Sequence, residues 1–293
     1  MNASSTPATT VPPHSVAPTP RLDSHQHFWR YSPEEYPWIP HGSALEHDWL
    51  PHDLDALQKP LALDGSIAVQ ARQSLAESDW LLGLADANPR IRGVVGWVDL
   101  RSPDVGRDLA RLARHPKFVG VRHVVQDEPE DDFILGTAFM EGIRRLRDFD
   151  LAYDILIFPG QLPATLRFVE RFPDQPFVLD HIAKPHIKEG SLQPWADQIK
   201  ALARFPNVVC KVSGMVTEAD HAGWKPADFT PYLEVVMEAF GPGRLMFGSD
   251  WPVCRLAASY EAVEGLVRDH VRGWDAMDQA AFWGGTCSAF YGV

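Results

Sequence analysis

The chain has 293 residues, 45% of them hydrophobic and 23% charged, with a formal net charge of −12. This composition excludes a disordered or fibrous chain, and the negative charge argues against nucleic acid or an acidic membrane surface as a partner. One large core suits the length if strands and helices alternate around a barrel.

Residues 1–20, MNASSTPATTVPPHSVAPTP, combine Ser, Thr, Pro and Ala with almost no charge and read as a disordered tail outside the fold. They lack the basic start and apolar centre of a secretory signal. No apolar run approaches the roughly 18 residues of a membrane span, so a cytoplasmic location is expected. From residue 21 onward, short apolar or β-branched runs alternate with longer segments of helical period. In chain order the strand candidates are 22–28, 65–70, 92–99, 118–125, 151–158, 176–182, 207–213 and 244–249. Most are apolar at successive positions, as a parallel sheet buried on both faces requires. Between them, Val105, Leu109 and Leu112, and later Leu192, Trp195, Ile199 and Leu202, recur at helical spacing and give stripes to lay against the sheet. Pro103 and Pro163 stand near helix starts, and the prolines of HPK, FPD and FPN (115–117, 172–174, 205–207) end helices just ahead of strands. Eight strands with helices between them predict an α/β fold, a (β/α)8 TIM-type barrel in one domain over 21–293. The competing doubly wound open sheet would carry a glycine-rich phosphate turn after its first strand, whereas DSHQHFW holds no glycine.

In such a barrel the chemistry gathers at the C-terminal ends of the strands. Polar residues fall there: His25 and His27, Gln70 and Arg72, Arg122 and His123, Tyr153 and Asp154, Asp180 and His181, Lys211 and Ser213, and Asp250. Residues i and i+2 of a strand share a face, so His25 and His27 converge and can give two nitrogens to one cation or orient one substrate oxygen. Asp250 follows an apolar strand and precedes Trp-Pro; it suits a metal ligand, a general base for water, or both. Asp180 adjoins His181, but strand neighbours face opposite ways, so it is not that histidine's automatic partner. Arg72, Arg122 and Lys211 can polarise a carbonyl or hold hydroxyls and a carboxylate, and Gln70, His123 and Tyr153 join them as candidate substrate contacts. Trp29, Tyr31, Tyr36 and Trp38 crowd the loop after the first strand, where they either face a sugar ring or pack the loop against the rim. Cys210, Cys254 and Cys287 form no CxxC pair and read as reduced thiols. No GxSxG occurs, and Cys210 alternates away from Lys211 and Ser213, which disfavours a Ser or Cys nucleophile.

Five blocks, DSHQHFW, GVRHVVQDEP, FVLDHIAKP, VVCKVSGMVTEAD and RLMFGSDWPVC, lie in order between residue 21 and the terminal GTCSAFYGV. They resemble the amidohydrolase superfamily and, within it, sugar lactonases of the L-fuconolactonase type. The resemblance implies hydrolysis of an aldonic-acid lactone, such as L-fucono-1,5-lactone, to the open hydroxy acid. It makes His25 and His27 the pair of the first strand, His181 the histidine of the sixth, and Asp250 the acid that activates water. Arg122 and Lys211 become substrate-binding cations. It implies at most one divalent ion, zinc by preference, on His25, His27, His181 and Asp250, or catalysis without metal. Binuclear members carry a carboxylated lysine or glutamate on strand 4 and a histidine on strand 5. Arg122 with His123 and Tyr153 with Asp154 stand there instead, so a bridged ion pair is not expected. Ala183 replaces the glycine more usual in DHIGKP. Two other readings stay open: a metal-dependent amidase, deaminase or decarboxylase of the same superfamily, and a non-catalytic barrel that binds a sugar acid.

Overall fold

Segments such as GSIAV (65–69) bury every position, which happens when a strand faces helices on one side and the barrel's own interior on the other. In the computed structural model of the chain, which describes residues 19–293, eight strands are arranged in this way: β1 (Leu22–Gln26), β2 (Gly65–Val69), β3 (Ile91–Gly96), β4 (Phe118–Val124), β5 (Ala152–Leu156), β6 (Phe177–Leu179), β7 (Val208–Val212) and β8 (Leu245–Phe247). Each pairs in parallel with the next, in sequence order. At the mouth Asp250 N donates to His25 O at 2.9 Å and His27 N donates to Trp251 O at 2.7 Å, bringing the eighth strand back to the first. The result is a nearly closed (β/α)8 barrel. The tail read over residues 1–20 lies outside the described residues as far as residue 18.

Helices α1 (Pro51–Gln58), α2 (Leu75–Ala87), α3 (Val105–Leu112), α4 (Thr137–Leu146), α5 (Leu162–Glu170), α6 (Trp195–Leu202), α7 (Pro226–Phe240) and α8 (Tyr260–Val271) each follow the strand of the same number, and α9 (Ala276–Ala280) and α10 (Thr286–Tyr291) complete the chain. Their apolar stripes, among them Leu109, Phe168, Ile199 and Val267, pack on outward strand residues such as Val94, Val121 and Phe247. Each such side chain contributes about 1.5–3 kcal/mol on burial. Leu22, Ile67, Val69, Val95, Ala152, Val178 and Met246 fill the barrel interior, and Cys287 and Tyr291 from α10 pack against this layer. All three cysteines are free and buried. Among the described residues, no helix is long and apolar enough to cross a membrane.

All eight strands end earlier than their sequences predict, by one to three residues, and three of these ends shape the mouth. β6 stops at Leu179 because His181 to Lys184 have left-handed backbone, β8 stops at Phe247 ahead of a left-handed Asp250, and β1 stops at Gln26. The pairing of β1 with β2 also slips between Asp23 and Gln26. That slip lets His25, three residues after the interior Leu22, turn inward as well.

Candidate active site

The end of β1 brings the Nε2 atoms of His25 and His27 to 3.2 Å from each other. The Val69 carbonyl oxygen can only accept, and it lies 2.8 Å from His27 Nδ1, so Nδ1 carries a proton and its ring is held with Nε2 toward Asp250. His25 Nδ1 lies 3.3 Å from Asp180 Oδ1, and Arg122 Nη1, which can only donate, lies 3.2 Å from His25 Nε2, so that Nε2 presents a lone pair. Asp250 Oδ1 stands 3.4 Å from His27 Nε2 and 3.9 Å from the Nε2 atoms of both His25 and His181. Burial holds His25 and His181 well below the usual histidine range, so both are neutral. Burial opposes the charge on Asp250 too, but His181 and the His27 contact override it and keep the carboxyl below its ordinary value.

Beneath this cluster lies a buried charge network. Lys211 Nζ is 2.5 Å from Asp154 Oδ2, 3.1 Å from Asp180 Oδ1 and 3.2 Å from His25 Nδ1. Tyr291 Oη donates to Asp154 at 2.9 Å, and Arg122 Nη1 donates to Asp180 Oδ2 at 3.1 Å. Asp180 therefore serves His25, while His181 Nδ1 meets Ser213 Oγ at 2.9 Å.

Above it opens a cavity of about 630 Å³, lined by His27, His181, Asp250, Gln70, Arg72 and Arg122, by Trp38 from the β1–α1 loop, and by an apolar wall that includes Val124, Leu156 and Leu256. Arg122 can only donate, and its Nη2 lies 2.9 Å from Gln70 Oε1, so the Gln70 amide is turned with Nε2 away from the guanidinium. That buried Nε2 has no acceptor among the described residues, which leaves it for a ligand. Arg72 pairs with Glu35 at 2.7 Å. Its backbone N–H and that of Ala71 donate to Glu77, whose carboxyl burial pushes up to about 7.

Four expected substrate contacts lie elsewhere. Strand alternation explains two: with Arg122 inward, His123 faces out, stacked on Phe133 and 2.6 Å from Glu128; with Asp154 inward, Tyr153 faces out among Phe139, Phe168 and Phe177. Trp29 is fully buried with Tyr36 and Leu45, and its indole N–H donates to His47 O at 2.9 Å, so it packs the loop. Lys211 points inward but lies too deep, fully buried between two carboxylates, and acts as their counter-ion. Sequence reasoning also missed residues that do line the cavity: Lys184, Thr217 and Glu218.

Gly214, with φ 62°, lets the β7 end pass close to His181: a Cβ there would sit 2.5 Å from His181 Nδ1. Gly214→Ala should push the imidazole off Ser213 and lower kcat/KM roughly 100-fold, the scale of a 1 Å misplacement in a catalytic site. Unchanged kinetics would show that His181 need not hold this position.

The donor set fits a metal ion. One ligand atom from each of His25, His181 and Asp250 lies within 4.8 Å of the others, all three residues are buried, and His27 Nε2 adjoins them. Two imidazole lone pairs and a carboxylate oxygen this close repel one another unless positive charge sits among them. Arg122 Nη1, 3.2 Å from His25 Nε2, supplies part of it. Neutral imidazoles with a carboxylate are a common zinc set.

Comparison with known proteins agrees with this architecture. The chain is 44% identical over 285 residues to the L-fucono-1,5-lactonase of Burkholderia multivorans, covering 93% of this chain and 96% of that protein. It is 38% identical over 281 residues to the L-fucono-1,5-lactonase of Burkholderia ambifaria, with the same coverage. The crystal structure of a Burkholderia multivorans amidohydrolase with bound zinc superposes with a TM-score of 0.90 at 44% identity, covering 94% of this chain and 99% of that one. The family model described as Amidohydrolase matches residues 22–293. With the barrel, the donor set and a match over nearly its whole length, the chain belongs to the amidohydrolase family.

Proposed function

We propose that this protein hydrolyses a sugar-acid lactone, L-fucono-1,5-lactone or a close aldonolactone, with Asp250 as general base. The observation that carries this reading is the ionised Asp250 facing three imidazoles in the wall of a cavity that also presents a free amide and a guanidinium. The two lactonases at 44% and 38% identity support the substrate class.

Asp250 takes a proton from water as the water oxygen bonds to the acyl carbon. Gln70 Nε2 donates to substrate oxygen, and the Arg122 charge steadies the negative charge that develops; each such donor contributes about 3 kcal/mol to lowering the barrier. The ring C–O bond then breaks, Asp250 returns the proton to the ring oxygen, and the acid leaves as its anion with release of one proton to solvent. His25, His27, His181 and Asp250 would hold a single zinc ion, which when bound polarises the acyl oxygen and acidifies water. The aromatic Trp38, 41% exposed at the rim, and the apolar wall suit the carbon face of a sugar ring.

A panel of 1,4- and 1,5-aldonolactones followed with a pH indicator should show acid release by the purified protein; none from any lactone would sink the reading. In parallel, zinc titration of chelator-treated protein should show one ion per chain, and His27→Asn should weaken its binding roughly 10–100-fold. Two firmly bound ions would point instead to the amidase or deaminase chemistry of the same superfamily.

A further inference from the structure

The turn after β6 has a backbone that its sequence should resist. His181, Ile182, Ala183 and Lys184 have φ of 53°, 49°, 60° and 48°. Each left-handed L-residue costs about 1–2 kcal/mol, and such strain persists only where the surroundings impose it. Here they do. Ile182 and Ala183 are wholly buried, the Trp195 indole N–H donates to Ile182 O at 2.8 Å, and Lys184 N donates to His181 O at 2.8 Å. A turn closed by an i to i+3 bond sets those two residues one above the other. His181 and Lys184 accordingly line the same cavity as Asp250.

Besides its histidines, the cavity wall carries Arg72, Arg122 and Lys184 as cations. The first two have strong acceptors: Arg122 gives its Nη hydrogens to Gln70, Asp180 and His25, and Arg72 reaches Glu35. Lys184 Nζ makes no hydrogen bond among the described residues. Its carboxylate partner, Glu218, is 3.8 Å away, and it stands 5.4 Å from the centre of the Phe158 ring, with the side chain only 17% exposed. Its charge acts on both Asp250 and His181. An ammonium with free N–H groups, carried by a strained turn into the wall of the cavity that the general base also lines, is placed for an oxygen that becomes negative.

Building on the lactonase reading above, we propose that Lys184 is a catalytic residue that hydrogen-bonds the acyl oxygen of the lactone and carries the negative charge this oxygen gains as water adds. The water oxygen forms the new C–O bond, the carbonyl π pair moves onto the acyl oxygen beside Nζ, and the proton goes to Asp250. When the ring C–O bond breaks, the same contact holds the product carboxylate, and Glu218 takes up the ammonium again once product leaves.

The test compares wild type, Lys184→Met and Lys184→Arg on the lactone that wild type opens fastest. Lys184→Met should lose roughly 100- to 1,000-fold in kcat, as for a lost oxyanion donor, with KM nearly unchanged because the contact strengthens in the transition state. Lys184→Arg, which keeps the charge, should recover most of that loss. Thermal midpoints should stay close to wild type, as expected for a substitution that removes no packed core group. The assignment is overturned if Lys184→Met keeps its kcat, if only KM rises, or if both variants lose activity together with thermal stability, which would give Lys184 a role in the turn alone. Should wild type open no lactone, the lactonase reading falls separately, and calorimetric binding of an aldonate decides: at least about tenfold weaker binding to Lys184→Met, the worth of one charge-assisted hydrogen bond, supports the contact, and equal binding rejects it.

Discussion

Asp250→Asn is expected to give a folded barrel with lactone hydrolysis reduced roughly 10²- to 10⁴-fold, the share that a positioned general base supplies. The substitution is unusually clean at this site. Asp250 has φ 57°, a region that Asn occupies as readily as Asp, so the left-handed turn survives. The backbone hydrogen bond from Asp250 N to His25 O, which helps bring β8 back to β1, involves no side-chain atom and is retained. What disappears is the negative charge 3.4–3.9 Å from three imidazole nitrogens and the ability to accept a proton from water. Thermal unfolding monitored alongside turnover separates the two effects. A variant with near wild-type kcat would remove Asp250 from the mechanism, and a variant that fails to fold would mean the carboxylate is needed chiefly to balance the buried cluster.

How far this site can be read without coordinates depends on which rule governs each residue. Alternation along a strand is local, so the convergence of His25 with His27 was legible, as was the inward turn of Arg122. Applied strictly, the same rule would have rejected His123 and Tyr153, because Arg122 and Asp154 already occupied the inward positions beside them. Depth is different. Lys211 faces inward as expected, yet lies below the cavity, because its height depends on the stagger of strands around the barrel and not on its own neighbours. The left-handed run from His181 to Lys184 contains no glycine to announce it, so strand reasoning carried β6 three residues too far and left Lys184 unnoticed. The free amide of Gln70 follows from which of its atoms faces Arg122, a tertiary fact with no trace in the sequence.

That depth makes Lys211 the position where substitution should cost the fold most. Its ammonium lies between Asp154 and Asp180, all three fully buried. Burial opposes the charge on Lys211, but the two carboxylates outweigh it and raise its pKa; burial likewise opposes the charge on Asp180, and Lys211 with the His25 and Arg122 contacts keeps that carboxyl ionised. Lys211→Met preserves the length of the stem and removes only the cation, leaving Asp154 with the Tyr291 hydroxyl and Asp180 with Arg122. Removing one member of a buried ion cluster costs about 3–5 kcal/mol, because the charge left behind has no water to turn to. For a domain of this size the thermal midpoint should then fall by roughly 10 °C. Adding Asp154→Asn to Lys211→Met should recover part of that fall, since it removes one of the two stranded acids. The pair of measurements distinguishes charge from shape: if the single variant melts with the wild type, the network is not holding the floor of the site, and if the double variant is no better than the single one, the loss comes from packing around the methionine. Because Asp180 also faces His25 Nδ1, the single variant should also weaken the zinc binding proposed above, the imidazole no longer being fixed by a carboxylate that the ammonium helps to seat.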